Sequence, residues 1–239
     1  MQTTLPDSHN IEDSIRIPVA NVVLEGNLCI PPQAKALILF IHGSGSSRFS
    51  ARNKYVANVL NQLGFATLLF DLLTVKEEAY DIQTVALRFN IEFLAERVIE
   101  ITKWLAEDKR TRGLKLGYFG ASTGAAAALV GAARVPDLVG AIVSRGGRPD
   151  LADTALRSVK APTLLIVGQN DPEVIDLNQE ALKILLAPKS IKIVCRAGHL
   201  FDEPGTLEEV AMLASIWFKK HLLGSPINFR PRDEASVSL

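Results

Sequence analysis

Short apolar, β-branched runs alternate along this chain with longer segments of helical period, and this alternation restricts the fold more than any other feature. LILFIHG (37–43), FATLLFD (65–71), LKLGYFG (114–120), GAIVSRGGRPD (140–150), PTLLIVGQND (162–171) and IKIVCRAGH (191–199) each read as a buried strand running into a loop. The spacing between them leaves room for a crossover helix, which implies βαβ units around a mostly parallel central sheet with helices on both faces. Helices are expected near 51–63, up to about 107, over 121–134, near 175–186 and over 206–222. Segments 15–19 and 22–30 look like an antiparallel pair preceding the first crossover. Residues 72–92 are the least regular part of the middle, an insertion that either covers a site or simply connects. The 239 residues fit one α/β domain, expected over 1–223, followed by a tail at 224–239 that reads as extended or disordered.

The charges exclude some partners. Twenty-six basic residues balance 26 acidic ones, without the basic excess or stripe that nucleic acid or an anionic membrane would select. A small-molecule partner is expected, with the oligomeric state open between monomer and homodimer. The first residues lack the basic and apolar regions of a secretory signal, and no apolar run is long enough to span a membrane, so a cytoplasmic location is expected. Cys29 and Cys195 have no C-x-x-C spacing, so both thiols are expected to be reduced and partly buried.

The chemistry starts at Gly120-Ala121-Ser122-Thr123-Gly124, a G-x-S-x-G motif with a strand before it and a small-residue helix after it. A serine on a sharp strand-to-helix turn needs a strained backbone, and side chains two positions away on either side would collide, so glycine is required there. The run Ala125 to Ala128 lets the helix approach the sheet closely, and its N-terminus offers N–H groups to developing negative charge. The whole resembles the nucleophile elbow of α/β-hydrolases.

A serine hydroxyl is a weak nucleophile near neutral pH; it needs a base, and the base needs an orienting acceptor. The α/β-hydrolase resemblance implies the order Ser, Asp or Glu, His, each on a loop after a later strand. Asp171 lies 49 residues after Ser122, just beyond TLLIVG, and His199 lies 28 residues further, just beyond IKIVC. Asp176 and Asp202 are the competing acids, the first expected inside a helix and the second after the histidine. Of the four histidines, His9 belongs to the leading segment, His221 to the end of the last helix and His42 to the early glycine loop. The same resemblance assigns the oxyanion donors to the backbone of Thr123 and of Ser44, with Gly45 as the alternative for the second. His42 is expected to shape its loop through a hydrogen bond.

Within the superfamily the chain is most similar to the dienelactone-hydrolase-like group, over roughly residues 15–222. One departure matters: dienelactone hydrolases proper carry a cysteine where this chain has Ser122, so their lactone substrate is not carried over. The resemblance also places Arg88, Arg145 or Arg148 near the substrate, and it implies a serine hydrolase acting on ester-type bonds without metal or cofactor. Three other classes compete. A nucleotide-binding oxidoreductase shares the βα alternation, but G-x-G-x-x-G is absent from the first βαβ unit and there is no Tyr-x-x-x-Lys dyad. A non-catalytic binder on the same fold would not require Ser, Asp and His at these places. A metallohydrolase lacks H-E-x-x-H and clustered histidines.

Overall fold

The computed structural model describes residues 11–224. Eight strands form one sheet: β1 (Ile11–Val19), β2 (Val22–Ile30), β3 (Ala36–Ile41), β4 (Ala66–Phe70), β5 (Lys115–Ala121), β6 (Val139–Arg145), β7 (Thr163–Gly168) and β8 (Lys189–Val194), in the order β1-β2-β4-β3-β5-β6-β7-β8. β1 pairs antiparallel with β2, and β2 with β4; every pair from β4 across to β8 is parallel. The helices are α1 (Ala51–Gln62), α2 (Val75–Thr84), α3 (Ile91–Glu107), α4 (Thr123–Arg134), α5 (Pro172–Ile184) and α6 (Thr206–Phe218).

Helix placement explains the strand sequences. α3, α4 and α5 cover one face, contributing Leu94, Val98, Ala126, Leu129 and Ala181 to its core. α1 and α6 cover the other through Val56, Leu60, Val210 and Phe218. All of β3, β4 and β7 is therefore buried, which is why these strands read as unbroken apolar runs. Each fully buried Leu or Phe among them contributes roughly 1.5–3 kcal/mol of transfer free energy.

Three features differ from the expectations. The insertion holds a ten-residue helix, α2, whose N-terminus is a capping box: Thr74 Oγ1 accepts from the Glu77 amide and Glu77 accepts from the Thr74 amide. A 3₁₀ segment over Pro149–Ser158, broken at Asp153 (φ 44°), follows β6. Cys29 is buried but Cys195 is exposed, because β8 is an edge strand with little cover. The expected form of the C-terminal tail concerns residues outside those described. Among the described residues, no helix is long and apolar enough to cross a membrane.

The chain leaves β3 through α1 to β4 on one side, while β5 lies on the other side of β3. Loops at the carboxyl ends of β3 and β5 thus diverge around a crevice, the usual place for a ligand in an open α/β sheet. Ser44 and Ser122 lie on these two loops.

Candidate active site

Ser122 links β5 to α4 with φ 50° and ψ −126°, a conformation costly for any residue with a Cβ. The flanking glycines show how it is held. A Cβ on Gly124 would lie 2.3 Å from the His42 carbonyl oxygen, and one on Gly120 would lie 2.5 Å from Ala125 Cα. The motif spacing therefore follows from backbone touching backbone. The Ser122 amide donates to the Arg145 carbonyl (3.3 Å), and its carbonyl accepts from Ala125 and Arg148 (3.1 Å each). Its side chain makes no capping bond to α4, so the hydroxyl is not committed to the helix.

Asp171 and His199 come together at the ends of β7 and β8, with His199 Nδ1 2.7 Å from Asp171 Oδ2. With the carboxylate ionised, Nδ1 carries the proton and Nε2 is the basic atom. Backbone bonds tie the two loops to each other: Gln169 donates to the Val194 carbonyl (2.9 Å) and Asn170 to the Ala197 carbonyl (2.8 Å). Within the second loop, Gly198 donates to Glu203 Oε1 at 3.0 Å. The competing acids are used elsewhere: Asp176 lies within α5, and Asp202 pairs with Arg52 at 3.0 Å. Segment 145–148 touches both parts, hydrogen-bonding Ser122 on one side, while the Cβ direction of Gly146 points at the His199 carbonyl 3.0 Å away.

The β3 loop is engaged differently. The Ser44 amide donates to Thr123 Oγ1 (2.9 Å), and Ser44 Oγ lies 3.0 Å from the Arg88 carbonyl oxygen and 2.9 Å from Thr123 Oγ1. Beside it lies a cavity of about 50 Å³ bordered by His42, Ser44, Leu72, Leu73 and Arg88. His42 is buried; its Nε2 accepts from the Leu72 amide (3.1 Å), so Nδ1 donates to the Gly43 carbonyl (2.9 Å), and burial holds its pKa below the ordinary histidine value. It braces the loop.

Each of the three arginines has partners within the protein. Arg88 Nε lies 2.5 Å from Asp81 Oδ2, and Asp81 Oδ1 also accepts the Leu87 and Arg88 amides. Burial would raise the Asp81 pKa, but those bonds outweigh it and leave it below the usual carboxylate value. Arg148 forms a two-pronged pair with Asp150 (2.9 and 2.8 Å). Among the described residues Arg145 has no carboxylate partner: it is buried, 3.4 Å from Asn53 Oδ1 and stacked toward Phe201. Burial, and then nearby Arg52, lower its pKa to about 10.

Sequence reasoning missed the Thr123 hydroxyl and the anchoring of the insertion. A signal for the latter was present, since Thr74-Val75-Lys76-Glu77 is a capping-box pattern, and Glu77 also binds Arg97 of α3 at 2.6 Å. Among the described residues, no three His, Cys, Asp or Glu side chains are grouped to hold a metal ion.

Comparison with known proteins agrees with this architecture. The model of the dienelactone hydrolase family matches residues 24–215. The chain belongs to the dienelactone hydrolase family. A solved dienelactone hydrolase from Anabaena variabilis is 56% identical, with 89% of this chain and 99% of that one covered and a TM-score of 0.88. An esterase from Pyrococcus furiosus, 19% identical with a TM-score of 0.72 over 93% of this chain and 97% of its own, shares the α/β-hydrolase fold. Two Mycobacterium tuberculosis proteins, from strains CDC 1551 and H37Rv, are 52% identical over 213 residues and bear the provisional name of a phosphoribosyl transferase. The match takes in 89% of this chain but 47% of theirs, so the chain spans about half the length of these relatives. Family and fold thus agree with each other.

Proposed function

We propose that the protein is a serine hydrolase of carboxylesterase or lactonase type, acting on an ester-type bond of a small molecule. Ser122 Oγ attacks the carbonyl carbon while His199 Nε2 takes its proton; Asp171 stabilises the imidazolium that forms. The tetrahedral oxyanion is held by the N–H groups of Thr123 and Ser44. Collapse expels the alcohol, protonated by His199, and leaves an acyl-enzyme on Ser122. Water, activated by the same histidine, then releases the acid.

The observation that carries this proposal is the strained backbone of Ser122. A serine stands at φ 50° and ψ −126° between two glycines packed against backbone, with its hydroxyl uncommitted to α4, which together support a nucleophile. A p-nitrophenyl ester panel of increasing chain length tests it: hydrolysis that disappears in Ser122→Ala supports the proposal, and hydrolysis that persists refutes it.

An anionic substrate held by arginine is a narrower proposal, and Arg145 is its best carrier because Arg88 and Arg148 already have carboxylates. Arg145→Met should raise KM for acidic esters and leave neutral ones unchanged; equal KM shifts for both would discard it. The phosphoribosyl transferase name belongs to proteins roughly twice as long, and nothing at Ser122 favours that chemistry over hydrolysis.

A further inference from the structure

The Ser44 amide, proposed above as an oxyanion donor, is already bonded in the free protein. Its acceptor is Thr123 Oγ1 at 2.9 Å. The remaining protons around it can be assigned by counting. Ser44 has one hydroxyl proton, and the Arg88 carbonyl, 3.0 Å away, can only accept, so that proton goes to Arg88. The 2.9 Å contact between the Ser44 and Thr123 hydroxyl oxygens then needs its proton from Thr123. The result is a closed set: Thr123 O–H to Ser44 Oγ, Ser44 O–H to the Arg88 carbonyl, and Ser44 N–H back to Thr123 Oγ1. It links the β3 loop, the elbow and the α2 insertion, and Thr123 is buried within it.

We infer that the Thr123 side chain is a positioning residue that reserves the Ser44 N–H for the transition state; this rests on the serine-hydrolase proposal above. A neutral substrate carbonyl is no better an acceptor than the hydroxyl it would have to displace, so it gains little at Ser44. A developing oxyanion is different, because a charge-assisted bond is roughly twice as strong as a neutral one. When Thr123 turns about Cα–Cβ, its hydroxyl releases Ser44 N–H to the oxyanion, while Ser44 Oγ keeps its bond to Arg88. No covalent bond or proton changes hands in this exchange. The donor is then used mainly where it lowers the barrier, since ground-state binding does not accelerate the chemical step.

The test is a comparison of wild type, Thr123→Val and Thr123→Ser on one p-nitrophenyl ester, with fluorophosphonate labelling and a thermal melt for each. Valine keeps the shape and removes the acceptor, so the ground-state carbonyl gains Ser44 N–H: KM should fall by roughly 3- to 10-fold with kcat changed less than 2-fold. Serine keeps the hydroxyl and should restore the wild-type KM. A fall in kcat of more than 10-fold in Thr123→Val, with KM unchanged, would make the hydroxyl a direct transition-state donor and overturn the inference. Equal KM and kcat in all three folded, labelled proteins would also overturn it. A wild type that neither labels nor hydrolyses would instead sink the hydrolase proposal on which it rests.

Discussion

The loops after β7 and β8 carry Asp171 and His199 on a lattice of backbone bonds, Gln169 to Val194 and Asn170 to Ala197, which leaves the 2.7 Å His–Asp contact little freedom. The loop after β3 instead reaches the elbow and the insertion through three side-chain contacts of Ser44, beside the Leu72–His42 bond that braces it. In the proposed mechanism, the His199–Asp171 pair is thus assembled in the free protein, whereas the proposed oxyanion donor of Ser44 is bonded to a hydroxyl that can be exchanged. The difference teaches what each side has to do. A proton relay must be in register before substrate arrives, while an oxyanion donor is most useful when it responds to charge that appears only during reaction.

The largest effects should come from breaking the assembled side. His199→Ala is expected to lower kcat by about 10⁴- to 10⁶-fold, read by steady-state hydrolysis; a loss below tenfold would remove His199 from the mechanism. Asp171→Asn should cost about 10⁴-fold by favouring the wrong tautomer while leaving the fold intact. Wild-type turnover in that variant would transfer the orienting role to another acceptor.

Gly124→Ala probes the elbow on which both sides depend. Its Cβ would meet the His42 carbonyl oxygen at 2.3 Å, backbone against backbone, so a destabilisation of about 3 kcal/mol or more is expected in chemical denaturation. A variant as stable as wild type would mean that the elbow and β3 are less tightly packed than described. Next comes the KM change in Thr123→Val, which sharpens the comparison from the oxyanion side.

The smallest effect concerns the brace of the β3 loop. Buried His42 binds its proton less readily folded than unfolded, where its pKa is about 6.5. Between that value and its lower folded one the unfolded chain takes up more protons, so stability should decline as pH falls below about 6.5. His42→Asn should flatten that decline relative to wild type. His221 shifts in the same direction, by burial and then Lys220, and a His221→Asn control separates the two. An unchanged pH profile in His42→Asn would remove His42 as the source.

Much of this was legible in the sequence because it is written locally. The strands show as apolar runs since both sheet faces are covered, and the elbow shows as glycine spacing since the contacts that demand it involve the backbone. Asp171 and His199 were found through strand-end positions carried over from the superfamily, and they do meet. Contacts between distant side chains left no pattern: Ser44 and Thr123 are 79 residues apart, and neither residue type announces a partner. The α2 helix was missed although its capping box was present; it presents no apolar face to the core, since Asp81 is its buried residue and Val75, Tyr80 and Ile82 are exposed. The arginines were noticed as charges, but sequence could not show that Arg88 and Arg148 are paired, or that Arg145 is buried beside Asn53.

The most direct test of the central claim is fluorophosphonate labelling of the purified protein, with the modified residue located by peptide mass spectrometry. The account predicts a single adduct on Ser122, absent in Ser122→Ala and strongly slowed in His199→Ala. Folded protein that takes up no probe, or that takes it up at another serine, would contradict it.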